Sequence, residues 1–227
     1  MEKKTKTSPT FKTLGILFLL IGGPIIWIIL NKTGKHYSAK LPILFEKEIA
    51  ANGDTIYHTI DNFKLVNQNG DSVTLANFKG KFLLVNFFFA NCESVCPKLT
   101  YFIKHSIYRE FEKDTNIRFI SISVDPESDT AKALMAYAKK YEAKYPQWQF
   151  LTGNKNKIYD LALNSFKIPG AEDVHQGLFH SNKMVLVDKE LHVRGVFDTE
   201  YVTKDGKEMP EKLIIDAVRA LKLEYQK

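Results

Sequence analysis

Cysteine is scarce in this chain: two stand in 227 residues, Cys92 and Cys96. That excludes the disulfide framework that holds many small secreted domains together. The two must bond to each other, to a metal or to a partner. Internal repeats and low-complexity tracts are absent, which excludes solenoids and arrays. Concentrated charge is missing too. The formal net charge is +6, but Lys3, Lys4, Lys6 and Lys12 against Glu2 supply half of it, leaving +3 for the rest. The remaining lysines are dispersed, with no groove-reading motif or stacking platform beside them, so nucleic acid is excluded as a partner.

What is present suits one well-buried domain and an anchor: 44% of the residues are hydrophobic and 12% aromatic. Residues 14–30, LGILFLLIGGPIIWIIL, carry no charge and would span about 25 Å as a helix. The four preceding lysines hold the N-terminus in the cytoplasm by the positive-inside rule. The following NKTGKHYSAK lacks an A-x-A-like cleavage site, and no cysteine follows closely enough for a lipoprotein anchor. The expected organisation is a cytoplasmic tail over 1–12, a transmembrane anchor over 13–30, a tether over 31–60 and one domain over 61–227. The protein is thus expected as single-pass in the inner (cytoplasmic) membrane, with its C-terminal domain periplasmic or extracytoplasmic.

Within the domain, FKLVNQNGDSVTL carries two strand-like runs around Asn69-Gly70, a hairpin signal because both residues tolerate positive φ. KFLLVNFFF, Lys81 to Phe89, is almost continuously apolar and reads as a strand covered on both faces. A helix is expected from Pro97 to about Lys113, then a buried strand from Ile117 to Val124. Asp129 and Thr130 open a second helix, and Lys155 to Phe166 forms a third. Met184 to Asp188 and His192 to Phe197 read as paired strands, and Pro210 opens the last helix. Strands interleaved with helices around a hairpin-bearing core predict an α/β fold of the thioredoxin-like type.

FFFANCESVCPKLT places the cysteines where a buried strand gives way to a helix. A spacing of four puts both thiols on one helix face, close enough for a disulfide or for one metal ion. A helix N-terminus also lowers a thiol pKa and enriches the reactive thiolate. A merely structural disulfide is the weaker reading, since so short a loop gains only about 2 kcal/mol in the chain-entropy account. Two thiolates are an incomplete set for most metals, which turns attention to the six histidines. His36 and His58 lie in the tether, His105 on the first helix and His192 in a strand, all better suited to packing or surface. His175 and His180 share the loop EDVHQGLFHSNK, and spacing does not choose between them.

Cys92 to Pro97 after an aromatic strand, then SVDPESDT with Asp125 and Pro126, then FHSNKMVLVDKELHVRGVFD with His180, resemble in order the motifs of the Sco/SenC copper chaperones of cytochrome c oxidase assembly. The resemblance covers about Asp61 to Leu221 and the anchor. It implies a thioredoxin-like fold in which Cys92, Cys96 and His180 bind copper, as Cu(I) or Cu(II), for delivery to an oxidase subunit. A thiol–disulfide oxidoreductase is a second partner the dithiol would admit. Thiolates with one imidazole suit copper on chemical grounds as well. His175 would then be a neighbour, Asp125 a helix cap or a support beneath the ligands, and Met184 a core residue. Glu93 departs from the family pattern, standing where many members carry proline. The competing reading is a periplasmic thiol-disulfide reductase with Cys92 attacking and Cys96 resolving. A peroxiredoxin-like peroxidase ranks lower, because Phe89 stands where its threonine would be.

Overall fold

The strand β5, Phe82–Phe88, is buried at every position because helices cover the sheet on both faces. Successive side chains point to opposite faces, so Phe87 meets Phe166 with ring centroids 5.6 Å apart. Phe88 instead meets Tyr137 and Phe150, at 5.1 and 5.4 Å. The structure is a computed structural model that describes residues 20, 22–27, 40–45, 47–168, 181–199 and 210–226.

The chain divides into two compact units, Met1–Ser38 and Ala39–Lys227. In the first, residues 23–27 are helical. Among the described residues no helix is long and apolar enough to cross a membrane. Most of the segment expected as an anchor lies outside the described residues.

The second unit is built on a seven-stranded mixed sheet. Its strands are β3 (Lys64–Asn67), β4 (Ser72–Thr74), β5, β6 (Ile117–Ser123), β7 (Trp148–Thr152), β8 (Lys183–Val187) and β9 (Val193–Asp198). They lie in the order β4-β3-β7-β6-β5-β8-β9. β5, β6 and β7 run parallel, while β3, β4, β8 and β9 make antiparallel pairs. The β3–β4 hairpin turns at Gly70, whose φ of 89° is open to glycine at little cost, as the Asn-Gly signal predicts. The helices are α1 (Val95–Phe102), α2 (Ala131–Lys140), α3 (Lys155–Asp160) and α4 (Pro210–Glu224). α1 runs on through a π-helical stretch, Ile103–Tyr108, to Phe111, and α3 through another, Leu161–Ser165. This is the thioredoxin-like α/β arrangement.

Trp148–Thr152 is a strand that the sequence reading passes over. It is a five-residue run buried at every position, without the alternation that marks a half-exposed strand. Trp148 instead donates its Nε1 to Ser121 Oγ at 3.0 Å and stacks on Phe150.

In the segment expected as a tether, two short strands pair, β1 (Lys47–Ile49) with β2 (Thr55–Tyr57). Leu41, Leu44 and Phe45 pack on the core. The buried Arg194 guanidinium donates to the carbonyls of Leu41 and Pro42, at 2.5 and 3.2 Å. It also pairs with Asp188 at 2.9 Å and Glu224 at 2.8 Å. Val187 pairs with Leu83, so this network lies at the start of β5, the end of the sheet away from the cysteines.

Candidate metal and thiol site

The parallel register sets Phe88 opposite Ser123, so the chain leaves β5 and β6 side by side at one end of the sheet. Val124 N donates to Phe88 O at 2.8 Å, and Cys92 N closes a turn onto Phe89 O at 3.3 Å. α1 begins only at Val95. The expectation that both thiols lie on one helix face is corrected accordingly: Cys96 is helical, whereas Cys92 sits in the turn before the helix. They still meet, because Cys92 Sγ accepts the Cys96 backbone N–H at 3.3 Å. Pro97, in the first turn, lacks an N–H where an intrahelical partner would be missing anyway. The sulfur of Cys92 therefore serves the open helix end that Ser94 leaves uncapped by its side chain.

Both residues are buried and both stand as thiols. Their surroundings separate them. Burial pushes the Cys92 thiol up, but the backbone N–H groups of Cys96, Ser94 and Val95 outweigh it, and its pKa lies below the ordinary value. Burial dominates at Cys96, whose thiol is pushed up to about 12 despite a backbone hydrogen bond involving Phe89. Beneath it, Thr100 Oγ1 donates to Cys96 O at 2.8 Å and lies 2.9 Å from the Tyr137 hydroxyl.

His175 and His180 lie outside the described residues. Their loop rejoins the described chain at Ser181, which is buried and accepts from Lys183 N at 3.1 Å. Of the other histidines, His58 bonds through Nε2 with Ser165 O at 2.7 Å, and exposed His105 packs at a tilt against Tyr101 with centroids 4.1 Å apart. His192 stands just before β9 and packs edge-on against Tyr57. Its ring forms a group with Asp188 and Glu190, all ligand atoms within 4.8 Å of one another. Asp188 is already committed there, to the amides of Glu190 and His192 and to Arg194, so the group reads as the scaffold of the β8–β9 turn. His36 lies outside the described residues.

Met184 is fully buried in β8, as a core residue should be. Glu93 is exposed to solvent. The cap of α2 is Thr130, whose Oγ1 accepts from Ala133 N, and not Asp125, whose peptide N–H instead bonds Ser123 Oγ at 3.1 Å. The residue that sequence reasoning missed is Asp129. It is fully buried, and its Oδ2 accepts from Ala90 N at 2.9 Å and from Ser123 Oγ at 2.5 Å. Burial raises its pKa against those two bonds. The only sequence signal was an acid just before a helix cap, which reads as a helix opener.

A family model described as SCO1/SenC matches residues 52–214. The SCO1 protein homolog of Bacillus subtilis is 36% identical over 134 residues, which are 56% of this chain and 69% of that protein. Among solved structures, BsSco is described as a member of the Sco family of cytochrome c oxidase assembly proteins that contains a disulfide switch. It is 29% identical, with a TM-score of 0.58 over 72% of this chain and 93% of that one. The copper-bound ScoI of Bradyrhizobium japonicum is 28% identical, with a TM-score of 0.55 over 72% and 99%. The family match thus spans the hairpin, the dithiol turn, the strand pair that follows the histidine loop and the start of α4, and the chain belongs to the SCO1/SenC family.

Proposed function

We propose that this protein is a copper metallochaperone for assembly of the copper centre of cytochrome c oxidase, with copper as its cargo and Cys92, Cys96 and His180 as the ligands. The observation that carries the reading is that two buried cysteines stand together beyond the carboxyl end of β5, the Cys92 sulfur accepting the Cys96 backbone N–H at 3.3 Å. Soft thiolates select copper, and three protein ligands leave a position for a sulfur of the recipient subunit. The Cys92 environment favours the thiolate already. At Cys96 an arriving cation would favour loss of the proton, because metal binding and thiol deprotonation are linked. His180 is supported by its sequence context and by the β5–β8 register: Met184 pairs with Asn86, so Lys183 enters the sheet from the end at which β5 leads to the cysteines. An anchor over residues 13–30 would hold the domain at the periplasmic face of the inner membrane.

An anaerobic copper titration of the fragment from Asn31 onward, against a competing chelator and followed by X-ray absorption, tests this. One copper with two sulfur ligands and one imidazole is expected. Copper held without sulfur, or no binding in competition, overturns the reading.

The contrast between the two thiols favours a second role for the same pair, thiol–disulfide exchange. The Cys92 thiolate would attack a partner disulfide, forming a mixed disulfide and releasing one partner thiolate. Cys96, after losing its proton, would then attack Cys92 Sγ, closing the Cys92–Cys96 disulfide and releasing the second thiolate. The pair gives two electrons and the partner takes them.

A further inference from the structure

Asp129 is a costly residue for its position. It is fully buried, and its Oδ1 has no hydrogen-bond partner among the described residues. An unsatisfied buried polar atom is destabilising, and a charged one more so. Closing a loop alone would require less: a neutral acceptor could take the Ala90 N–H.

What Asp129 holds is the turn that carries Cys92. That turn is pinned at three consecutive residues. Phe88 O accepts from Val124 N, Phe89 O accepts from Cys92 N, and Ala90 N donates to Asp129 Oδ2. The first two bonds are backbone to backbone, so Asp129 is the one side chain among these three pins. The carboxylate is itself held from behind. Ser123 Oγ donates to the same Oδ2 at 2.5 Å and accepts from Asp125 N at 3.1 Å, while Asp129 N donates to Asp125 O at 2.9 Å. A closed ring of bonds at the end of β6 is thereby transmitted to Ala90, two residues before Cys92.

We propose that Asp129 is a positioning residue of the dithiol, its carboxylate clamping the Ala90 amide so that the Cys92 sulfur stays against the Cys96 amide in the geometry that lets one soft atom bridge both sulfurs. This rests on the cysteine pair of the proposed function but not on copper or on His180. Phenylarsine oxide therefore serves as the probe. Its arsenic forms two As–S bonds, the As=O oxygen leaves as water with the two thiol protons, and no electrons change hands. Only the spacing and orientation of the thiols enter.

The test compares Asp129→Asn with Asp129→Ala in the reduced full chain in detergent, with folding checked by circular dichroism. Both variants remove the charge, whereas Asn keeps an oxygen for the Ala90 N–H. Asp129→Asn is expected to bind phenylarsine oxide at least as tightly as the wild type. Asp129→Ala should bind about 10 to 100-fold more weakly than Asp129→Asn, the range seen when an outer partner of a ligand is removed. Copper affinity should follow the same order where copper binds. Equal arsenical affinities in the two variants, whether high or low, overturn the proposal. If Asp129→Ala does not fold, Ser123→Ala takes its place, since it removes the hydroxyl that orients Oδ2. Binding weaker than wild type supports the clamp, and unchanged binding in folded protein overturns it. A chain that binds the arsenical as expected but no copper leaves the clamp standing and removes only the metallochaperone reading.

Discussion

The sulfur of Cys92 accepts the backbone N–H of Cys96 at 3.3 Å, so the first cysteine serves the open end of the helix that carries the second. One bond thereby produces two unlike thiols. Cys92 faces the backbone amides of the helix start, which favour its thiolate, while burial holds Cys96, one step into the helix, in its protonated form.

That asymmetry predicts an order of reaction. Limited alkylation of the reduced protein with iodoacetamide at neutral pH should label Cys92 well before Cys96, as read by peptide mass mapping. Equal labelling would show that the two environments do not differ as described. Air-oxidised protein should take two labels only after reduction.

The same contrast gives a pH dependence of stability. Cys96 keeps its proton in the fold up to about 12, against an ordinary value of 9.0. Between those values the folded chain binds the proton and the unfolded chain has released it, so stability falls as pH rises through that window. Cys92, with a lowered pKa, acts in the opposite sense: its contribution is present above the ordinary value and is lost as pH falls through the folded one. The urea midpoint of the reduced protein should therefore drop from about pH 9 upward, and Cys96→Ser should lessen that drop. An identical profile in Cys96→Ser counts against a buried, protonated thiol.

Replacing His180 by Ala should weaken copper binding by at least about 10 to 100-fold, the range set by outer partners of a metal site, while disulfide formation continues. His175→Ala, in the same loop, is the control and should lose less. Chelator competition measures both. Wild-type affinity in His180→Ala would leave dithiol exchange as the better account.

Arg194 is predicted to be critical to stability at the other end of the sheet. Its side chain is 3% exposed and bonds Asp188, Glu224 and the carbonyls of Leu41 and Pro42. Arg194→Met would strand the buried Asp188 carboxylate, at a cost of about 3–5 kcal/mol. Urea unfolding at neutral pH measures this, and a loss under about 1 kcal/mol, the range of an exposed pair, would contradict it.

The topology carries its own test. Alkaline phosphatase fused to the C-terminus should be active and should fractionate with the membrane. Inactive phosphatase would reverse the orientation expected from the four lysines, and active enzyme in the soluble fraction would indicate a cleaved leader.

Much of this protein was legible as local pattern. The almost continuously apolar run of Lys81 to Phe89 reads as a covered strand and is one. Asn69-Gly70 marked the β3–β4 hairpin, and Asp129 with Thr130 the opening of α2. Pro210 marked the start of α4. Those features are decided within a few residues, by backbone sterics and by which side chains avoid water. That the two cysteines stand together was legible too, from their spacing of four. What neighbours in sequence do not decide is which distant groups share a site. That Cys92 stands before the helix rather than on it, that β7 slots between β3 and β6, and that Arg194 gathers carbonyls from Leu41 and Pro42 all depend on strand order and register. Asp129 is the clearest case. Its thirty-nine-residue separation from Ala90 leaves no periodic trace, and only the parallel pairing of β5 with β6, which ends both strands side by side, brings its carboxylate to the turn that carries Cys92.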